Sequence, residues 1–431
     1  MEGEPTLEKQ GSKYLVKWKT KGVEMEVGSI EPKKRYACEV TTTLQGFPIS
    51  RAYPTLKSMS GFQTYVRHLK TRTAEVGFPE INWGQIVEDF TGIVIDTHRA
   101  GVPAVKLNEV DLSENVRWRV DNVALEGEVS LIYANGGTGK SFFSLWLATL
   151  VQEGYMSSNH GLVVEPGNVL YLDYETKPEE IAHRSRMLHT GLGIDTVDST
   201  TTSSQIVYNQ CGHPFVDEED YIQDLIYKHN ISFVVIDSMG RAVSGELESS
   251  DTVVPFFAAV KRLNTTVLVV SHTNKQGQLF GSQYTYNEAR LIWEAKKTGS
   301  TTTGMEFSLV CRKANNVPFQ PPQAYGVDFS PDLAGNEMAI YNRTDVFATD
   351  IAGDMSYRDL IFRILKEDGA KSKAYIKDTI KAMKGDPPDR IERNVDSAVS
   401  KLKGGGHVVE NDGVLQLPDI TEETDSEWET I

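Results

Sequence analysis

The sequence predicts an α/β fold: a parallel sheet core, an α+β domain before it and a helical domain after it. Three observations predict it. Apolar runs alternate with helical patterns between residues 116 and 345, a glycine-rich turn joins one run to an apolar-faced helix, and short amphipathic helices follow Asp354. Strands that alternate with helices are typical of a parallel sheet. The strand-like runs are Val129–Tyr133, Val169–Asp173, Phe233–Ile236 and Val267–Val270, followed by Met305–Cys311.

These patterns divide the chain into three predicted domains and a tail. The boundaries are 1–115 for an N-terminal α+β domain of open role, 116–345 for the sheet core, 354–418 for a winged-helix-like domain of three helices and a hairpin, and 419–431 for the tail. The tail has six acids and no base. Such a segment cannot bury enough apolar surface to fold alone, so we expect it to be disordered.

The composition excludes several classes of protein. The 44 Lys and Arg residues against 60 Asp and Glu residues give a net charge of −16. The whole surface would therefore not coat nucleic acid, although a local basic groove is compatible with this charge. No apolar run approaches the roughly 20 residues that span a bilayer, so no membrane partner is expected. Three scattered cysteines, Cys38, Cys211 and Cys311, predict neither a disulfide framework nor a zinc site, which fits a cytoplasmic protein.

The segment Ala134–Ser141 joins a predicted strand to a predicted helix through a glycine-rich turn. Glycines allow backbone N–H groups to surround a phosphate chain, and a helix N-terminus adds unpaired donors. We expect a nucleoside triphosphate and Mg²⁺ here, with Lys140 reaching the β- and γ-phosphates and Ser141 ligating the metal. Ala134 stands where a first glycine is usual. The predicted nucleotide-binding residues are Asn135, Gly136, Gly137, Thr138, Gly139, Lys140, Ser141 and Phe142.

Three further predicted strands end in residue types that serve phosphoryl transfer. In open parallel sheets, ligands bind beyond the carboxyl ends of the strands. Asp237 suits the carboxylate that holds the Mg²⁺ shell, and Glu175 suits a general base for the attacking water. His272 suits a sensor of the γ-phosphate. Two alternatives stay open: Glu175 could cap the helix that begins at Pro178, and His272 could be a hydrogen-bonded histidine at a strand end.

This order of motifs resembles the RecA-like ATPase superfamily, and most closely its hexameric replicative helicases and plasmid- or phage-encoded RepA-type ATPases. The resemblance covers residues 120–320. It implies a RecA-like core and a ring-forming homo-oligomer, a hexamer, that hydrolyses ATP and acts as a DNA helicase or translocase in phage or plasmid replication. The matching segments are Ala134–Ser141, Tyr171–Glu175, Val234–Ser238, Val269–Lys275, Gly281-Ser282 and Asn287–Trp293.

The resemblance also implies roles for residues outside the phosphate-binding loop. Two loops, Gly240–Asp251 and Thr273–Gly281, would face the channel of the ring, and Asn274 and Lys275 would contact single-stranded DNA. Ordinary surface loops are the alternative. A basic finger would reach into the neighbouring subunit's nucleotide. The candidates are the adjacent pair Arg312 and Lys313, where such helicases often show Lys-x-Arg, and Arg290, for which an intramolecular ion pair is equally plausible.

Two other functions remain open at this stage. One is a DNA recombination or repair ATPase that forms filaments, and the other is a regulatory or loader ATPase that switches without unwinding. A small-molecule kinase is disfavoured, because P-loop kinases of that class lack a glutamate and histidine pair at the strand ends such as Glu175 and His272 form here. The acidic tail, with Trp428, has three open interpretations: a docking peptide for a replication protein, a segment that occupies this protein's own DNA groove, or a solubilising segment. The basic segment Lys13–Arg35 and its nearby aromatics form either a nucleic-acid surface or a solvated strand face.

Overall fold

The computed structural model describes residues 4–78, 81–101, 104–109, 116–194, 202–274, 277–281, 283–300, 303–331, 335, 337–346, 355–411 and 413–418. The chain groups into two compact units. Unit 1 comprises Met1–Arg117, Cys211–Ser232 and Pro255–Thr265, and unit 2 comprises Trp118–Gln210, Phe233–Val254 and Thr266–Ile431. Neither unit is continuous in sequence.

The strands and helices are numbered in chain order. The strands are β1 (Thr6–Gln10), β2 (Lys13–Trp18), β3 (Val23–Glu31), β4 (Ala37–Leu44), β5 (Phe47–Ala52), β6 (Trp118–Val120), β7 (Ala124–Leu125), β8 (Val129–Ala134), β9 (Asn168–Asp173), β10 (Val207–Gln210), β11 (Ile231–Asp237), β12 (Thr266–His272), β13 (Leu291–Ser300), β14 (Gly304–Ala314), β15 (Gln323–Asp328), β16 (Ile340–Thr344), β17 (Lys371–Ser372), β18 (Val409–Asn411) and β19 (Val414–Gln416). The helices are α1 (Met59–Glu75), α2 (Trp83–Ala100), α3 (Lys140–Glu153), α4 (Pro178–Gly191), α5 (Phe215–His229), α6 (Met239–Ala242), α7 (Ser250–Arg262), α8 (Gln283–Glu288), α9 (Tyr357–Asp368), α10 (Lys373–Lys384) and α11 (Pro388–Gly404).

Unit 1 contains an antiparallel sheet in the order β1-β2-β3-β4-β5, with α1 and α2 sharing its apolar core. The hydroxyl of Ser58 accepts from the N–H of Gly61 at 3.3 Å and caps the start of α1. Trp18 and Tyr36, which the sequence associated with the basic segment Lys13–Arg35, are 1% and 7% exposed. Both rings therefore belong to the core and are not available for stacking on nucleic-acid bases.

Unit 2 contains a nine-stranded sheet in the order β10-β9-β11-β12-β8-β13-β14-β15-β16. The pairs β10·β9, β11·β12, β12·β8 and β13·β8 are parallel. The four runs predicted as core strands form β8, β9, β11 and β12, so the prediction of an α/β core with a parallel sheet is confirmed. Because these strands are parallel, their carboxyl ends lie at one edge of the sheet.

The far half of this sheet differs from the prediction. The sequence placed Met305–Cys311 as the next strand of a parallel sheet, but it forms the centre of β14, which runs antiparallel to β13. The pairs β14·β15 and β15·β16 are antiparallel as well. Only a few residues separate β13 from β14, and a parallel pair needs a crossover of a dozen or more residues. The short connection therefore forces the chain to reverse direction.

A buried aromatic cluster joins α3 to this antiparallel half. Trp146 stacks on Tyr341 with ring centroids 4.3 Å apart and an interplanar angle of 20°. Phe143 contacts Phe307 edge to face at 4.8 Å, and Tyr325 contacts both Phe143 and Trp146, with centroid distances of 5.4 and 5.7 Å. Such ring pairs stabilise a core beyond the area that they bury. The helix that begins at Lys140 is thus anchored along its length.

The C-terminal part of unit 2 contains α9, α10 and α11 around an apolar cluster, with a small antiparallel sheet in the order β17-β19-β18. The predicted three helices and hairpin are present, whereas a winged helix stays a prediction. The tail, 419–431, lies outside the described residues. Among the described helices, none combines the length and the apolar character that crossing a bilayer requires.

Candidate active site

The loop between β8 and α3 has a conformation that requires its glycines. Gly137 and Gly139 have φ values of 72° and 88°, in the left-handed region that side chains disfavour. A Cβ on Gly139 would also lie 2.9 Å from the sulfur of Met305. The hydroxyl of Thr138 donates to the carbonyl oxygen of Asn135 at 2.8 Å and closes the loop on itself. The first N–H groups of α3 are left for an anion.

Lys140, the first residue of α3, is buried, with 6% of its surface exposed. Burial lowers the pKa of this ammonium, while the charges of Asp237 and Glu175 raise it. Two carboxylates therefore accompany the lysine in the nucleotide-free protein. The phosphates of a nucleotide would bring a stronger counter-charge to the same position.

Asp237, at the end of β11, fits a site for Mg²⁺. The hydroxyl of Tyr171 donates to its Oδ2 at 2.8 Å. Its Oδ1 is buried and takes no hydrogen bond within the described ranges. Burial raises the pKa of Asp237, although the hydroxyls of Tyr171 and Ser141 lower it. Oδ1 of Asp237 and the nearby Ser141 hydroxyl are oxygen ligands of the kind that Mg²⁺ prefers, and Mg²⁺ usually keeps several of its waters.

Glu175 lies two residues after β9 and contacts the ends of two other strands. Its Oε1 accepts a hydrogen bond from the Ser238 hydroxyl and lies 3.4 Å from Nε2 of His272. Burial raises the pKa of Glu175, but Ser238, His272 and the charge of Lys140 outweigh it, so the pKa lies below its usual value. The carboxylate is therefore ionised at neutral pH. Sequence reasoning did not assign Ser238 to the site, although it follows Asp237 directly.

The turn after β9 fixes where Glu175 lies. Oδ1 of Asp173 accepts from the N–H groups of Glu175 and Thr176 at 2.8 and 2.9 Å. The helix α4 begins at Pro178 with Lys177 at its N-cap position and no side-chain cap. The Glu175 carboxylate contacts Ser238 and His272 and does not cap α4, which was the alternative role that the sequence left open.

The loop after β12 is attached to the phosphate-binding loop. The N–H of Thr273 donates to the carbonyl oxygen of Ala134 at 3.2 Å, and its hydroxyl donates to Oδ1 of Asn135. At the far end of the loop, the N–H of Phe280 donates to the carbonyl oxygen of His272 at 3.0 Å. Sequence reasoning missed this use of Thr273. The available signal was a hydroxyl residue directly after a strand that ends beside the phosphate-binding loop.

The two residues predicted to contact nucleic acid lie in this loop. The N–H of Asn274 donates to the carbonyl oxygen of Gln278 at 2.7 Å, and its Oδ1 accepts from the N–H of Gln278 at 3.0 Å. Asn274 thus supports the turn of the loop. Lys275 lies outside the described residues. Contact of either residue with single-stranded DNA stays a prediction.

The three candidates for a basic finger have different surroundings. Nε of Arg312 donates to Oε2 of Glu294 at 2.7 Å. Nε of Arg290 lies 3.4 Å from Oε2 of Glu128, so the intramolecular ion pair weighed as an alternative is present. Both side chains of that second pair are about two-fifths exposed, at 42% and 39%. An exposed pair of this kind contributes little to stability and exchanges partners at little cost.

Lys313 has a structural environment. Its ammonium donates to the carbonyl oxygens of Tyr286, Asn287 and Ala289 at 2.7, 2.9 and 2.7 Å, and 9% of the residue is exposed. These carbonyls belong to the end of α8 and the residue just beyond it, where main-chain acceptors lack helical partners. All three protons of the ammonium are committed, so Lys313 in this chain closes the end of α8.

A cavity of about 460 Å³ opens beside the Glu175 carboxylate. Ser238, His272 and Thr273 line it together with Arg241 from the short helix α6. The sequence had placed Arg241 only in a loop facing a channel. The cavity is polar where Glu175, Ser238 and His272 line it, and it adjoins the ends of three strands, which is the position expected for a ligand of a parallel sheet.

Comparison with known proteins agrees with this geometry. Residues 98–278 match the model of a protein family described as an AAA domain. This range includes the phosphate-binding loop and the ends of β9, β11 and β12. This match, the strand order and the site together support a RecA-like P-loop ATPase core. No curated protein matches this ATPase.

Among solved structures, the ATPase matches the crystal structure of a KaiC-like protein from the hyperthermophilic archaeon Pyrococcus horikoshii OT3. The identity is 13%, and the match covers 52% of this chain and 99% of that chain, with a TM-score of 0.36. At this level the match carries no argument. The assignment rests on the strand order, the site and the family match.

Proposed function

We propose that this ATPase is a ring-forming DNA helicase or translocase of the kind that serves phage or plasmid replication. One observation carries the proposal: Thr273 begins a loop that the resemblance places in a DNA channel, and it is hydrogen-bonded to Ala134 and Asn135 of the phosphate-binding loop. A change at the γ-phosphate would therefore reach the DNA-facing loop through direct contacts.

The hydrolytic step rests on Glu175 as general base. Its lowered pKa keeps it ionised, and the Ser238 and His272 side chains hold one carboxylate oxygen in place. The carboxylate would accept a proton from the attacking water as the bond from that water to the γ-phosphorus forms. The bond from the γ-phosphorus to the β,γ-bridging oxygen would break in the same displacement, so that ADP leaves. Such a base contributes about 10²–10⁴-fold to the rate.

Lys140, Ser141 and Asp237 would bind the phosphates and the metal. Lys140 would neutralise charge on the β- and γ-phosphates, and Ser141 with Asp237 would hold Mg²⁺, directly or through its waters. When bound, Mg²⁺ supplies further neutralisation of the developing phosphate charge. The uncommitted Oδ1 of Asp237 supports this role.

A neighbouring subunit would complete the site. Arg290 is the candidate that could leave its present partner at the lowest cost, because both side chains of its ion pair with Glu128 are about two-fifths exposed. Arg312 would first have to leave Glu294. A finger supplied in trans can contribute about 10³-fold or more to the rate, so hydrolysis would depend on assembly.

The test measures ATP hydrolysis, strand separation and particle mass on one preparation. We expect closed rings in native mass spectrometry with an ATP analogue, hydrolysis stimulated by single-stranded DNA, and separation of a forked duplex. The Glu175→Gln variant is the matched control, because it should assemble and bind nucleotide without turning over. Filaments would favour a recombination ATPase. A monomer whose hydrolysis ignores DNA would overturn the proposal in favour of a switch.

A further inference from the structure

A cleft of about 480 Å³ lies between β16 and the C-terminal helices of unit 2, far along the chain from the phosphate-binding loop. Its apolar lining includes Pro321, Pro322, Phe362 and Leu402. A volume of this size is in the range of pockets that hold compact ligands. No part of the hydrolytic site described above contributes to it.

The cleft is basic at one wall. Arg358, Phe362 and Lys366 follow one another at intervals of four along α9 and therefore share one face of the helix. Arg358 and Lys366 are exposed and form no ion pair within the described ranges. The wall thus presents a positive charge, an aromatic ring and a second positive charge in a row.

The acids that line the cleft have other partners. Asp345 pairs with Arg363 at 2.7 Å. Oδ2 of Asp359 accepts from the Ser356 hydroxyl at 2.6 Å, at the start of α9. Arg343 adds a further cation to the lining. Four cations of the lining, Arg343, Arg358, Arg363 and Lys366, outnumber its two acids, Asp345 and Asp359, so the net charge of the cleft is positive in a chain whose net charge is −16.

The same chain carries a segment of complementary chemistry. Residues 419–431 have six acids and no base, and Trp428 stands between Glu427 and Glu429. An aromatic side chain flanked by acids matches a ring-lined slot flanked by Arg358 and Lys366. Apolar anchors of this type dominate binding energy, while flanking charges set orientation and association rate.

The segment is long enough to reach the cleft. Trp428 is ten residues beyond Pro418, the last described residue, and ten extended residues span about 33–36 Å. The C-terminal helical part, residues 355–418, has about 60 residues, for which a radius of gyration of about 10 Å is expected, so the extended segment is longer than the diameter of this part. Because the segment is attached by a short tether, its effective concentration at the cleft is about 1 mM. A tail with an intrinsic Kd of about 100 μM would therefore occupy the cleft about 90% of the time.

From these observations we infer that the cleft beside α9 is the binding site of the acidic segment 419–431 of the same chain, with Trp428 against Phe362 between Arg358 and Lys366. The bound segment covers the basic wall. Any external acidic ligand of this wall would have to displace the segment first.

The first test uses a labelled peptide of residues 417–431 and two proteins, the full chain and a chain ending at Pro418. We expect the peptide to bind the shortened chain about tenfold more tightly than the full chain, because only the full chain carries the competing tether. Binding should weaken with salt, and a Trp428→Ala peptide should lose at least tenfold in affinity. Equal affinity for both proteins, or none for the shortened one, would overturn the inference.

The second test locates the site. The double variant Arg358→Glu with Lys366→Glu in the shortened chain should lose the peptide, whereas Lys381→Glu, an exposed lysine of α10 outside the cleft, should retain it. Thermal melting of each variant checks folding. A photo-crosslinker at position 428 of the dilute full chain should join residues of α9 within one chain. Crosslinks to a second copy, to another surface, or to nothing would count against the inference.

Discussion

The Thr273 hydroxyl donates a hydrogen bond to the side-chain oxygen of Asn135, and this bond joins the loop after β12 to the phosphate-binding loop. The adjacent bond from the Thr273 N–H to the Ala134 carbonyl would survive any change of side chain. The side-chain bond can thus be removed alone. It offers a direct way to ask whether the two loops communicate.

Thr273→Val keeps the side-chain volume and removes the donor. We expect ATP to bind normally, while stimulation of hydrolysis by single-stranded DNA falls at least several-fold. Steady-state hydrolysis with and without DNA measures the effect. Thr379→Val, on α10, removes a hydroxyl that donates to the Tyr375 carbonyl oxygen one turn earlier in the same helix, and serves as control. Full stimulation in Thr273→Val would show that coupling takes another route.

Glu175→Gln tests the general base. Glutamine preserves the size and the acceptor for Ser238 but cannot take a proton, so kcat should fall about 10²–10⁴-fold. Nucleotide affinity, measured with a fluorescent ATP analogue, should stay within about threefold of the parent protein. A parallel collapse of affinity would mean that Glu175 supports nucleotide binding and not the proton transfer.

Ser238→Ala tests the origin of the lowered pKa of Glu175. The Ser238 hydroxyl stabilises the ionised carboxylate, so its removal should raise the pKa toward the usual value. A base works only when ionised, and activity is lost as pH falls through its pKa. The acidic limb of the pH–kcat profile should therefore move to higher pH in Ser238→Ala. An unmoved limb would exclude this hydrogen bond as the cause.

Asp237→Asn tests the burial of an ionised carboxylate. Because the pKa of Asp237 is raised in the folded protein, its contribution to stability is greatest below the unfolded pKa and is lost as pH rises through the folded value. At neutral pH, asparagine should therefore raise the melting temperature of the nucleotide-free protein. A gain of about 1 kcal/mol corresponds to about 2–4 °C. The same variant should lose the stabilisation that Mg²⁺ and ATP give the parent, and a lowered melting temperature would contradict the argument.

The basic residues near β14 should separate into structural and catalytic types. Lys313→Met would leave main-chain carbonyls of α8 unsatisfied, at about 1–3 kcal/mol, and should lower the melting temperature. Arg290→Ala and Arg312→Ala should melt close to the parent but hydrolyse slowly. Mixing either arginine variant with Lys140→Ala subunits should restore activity at mixed interfaces if that arginine acts in trans. If ATP hydrolysis recovers in neither mixture, neither arginine is the finger that acts in trans.

The sequence predicted the parallel half of the sheet because each strand there is a continuous apolar run. Val129–Tyr133 and Val267–Val270 lie within β8 and β12 as expected. The strand directions in the antiparallel half of the sheet could not be predicted in the same way. Met305–Cys311 was identified as strand-like, but an apolar run contains no information on the direction of its neighbour, which depends on a pairing with β13.

The site shows the same division. The proximity of Glu175, Asp237 and His272 could be predicted because each follows or ends an apolar run, and parallel strands bring such ends together, whereas their roles stay predictions. The environments of Arg312 and Lys313 could not be predicted from the sequence. Adjacent residues of a strand point to opposite faces of the sheet, and the sequence does not show what packs against each face. One meets Glu294 and the other meets the end of α8. That distinction is set by the packing of elements distant in sequence.

The aromatic cluster around Trp146 divides the hydrolytic site into an anchored half and an adjustable half. Residues of α3 from Phe143 to Val151 are buried, and the helix would open only when much of unit 2 opens with it. Its amide protons should be among the slowest to exchange with solvent. The phosphate groups would thus be held against a fixed support. The structural change that follows hydrolysis would fall on the other wall, where His272 and Thr273 begin a loop that hydrogen bonds, rather than a buried aromatic cluster, hold in place.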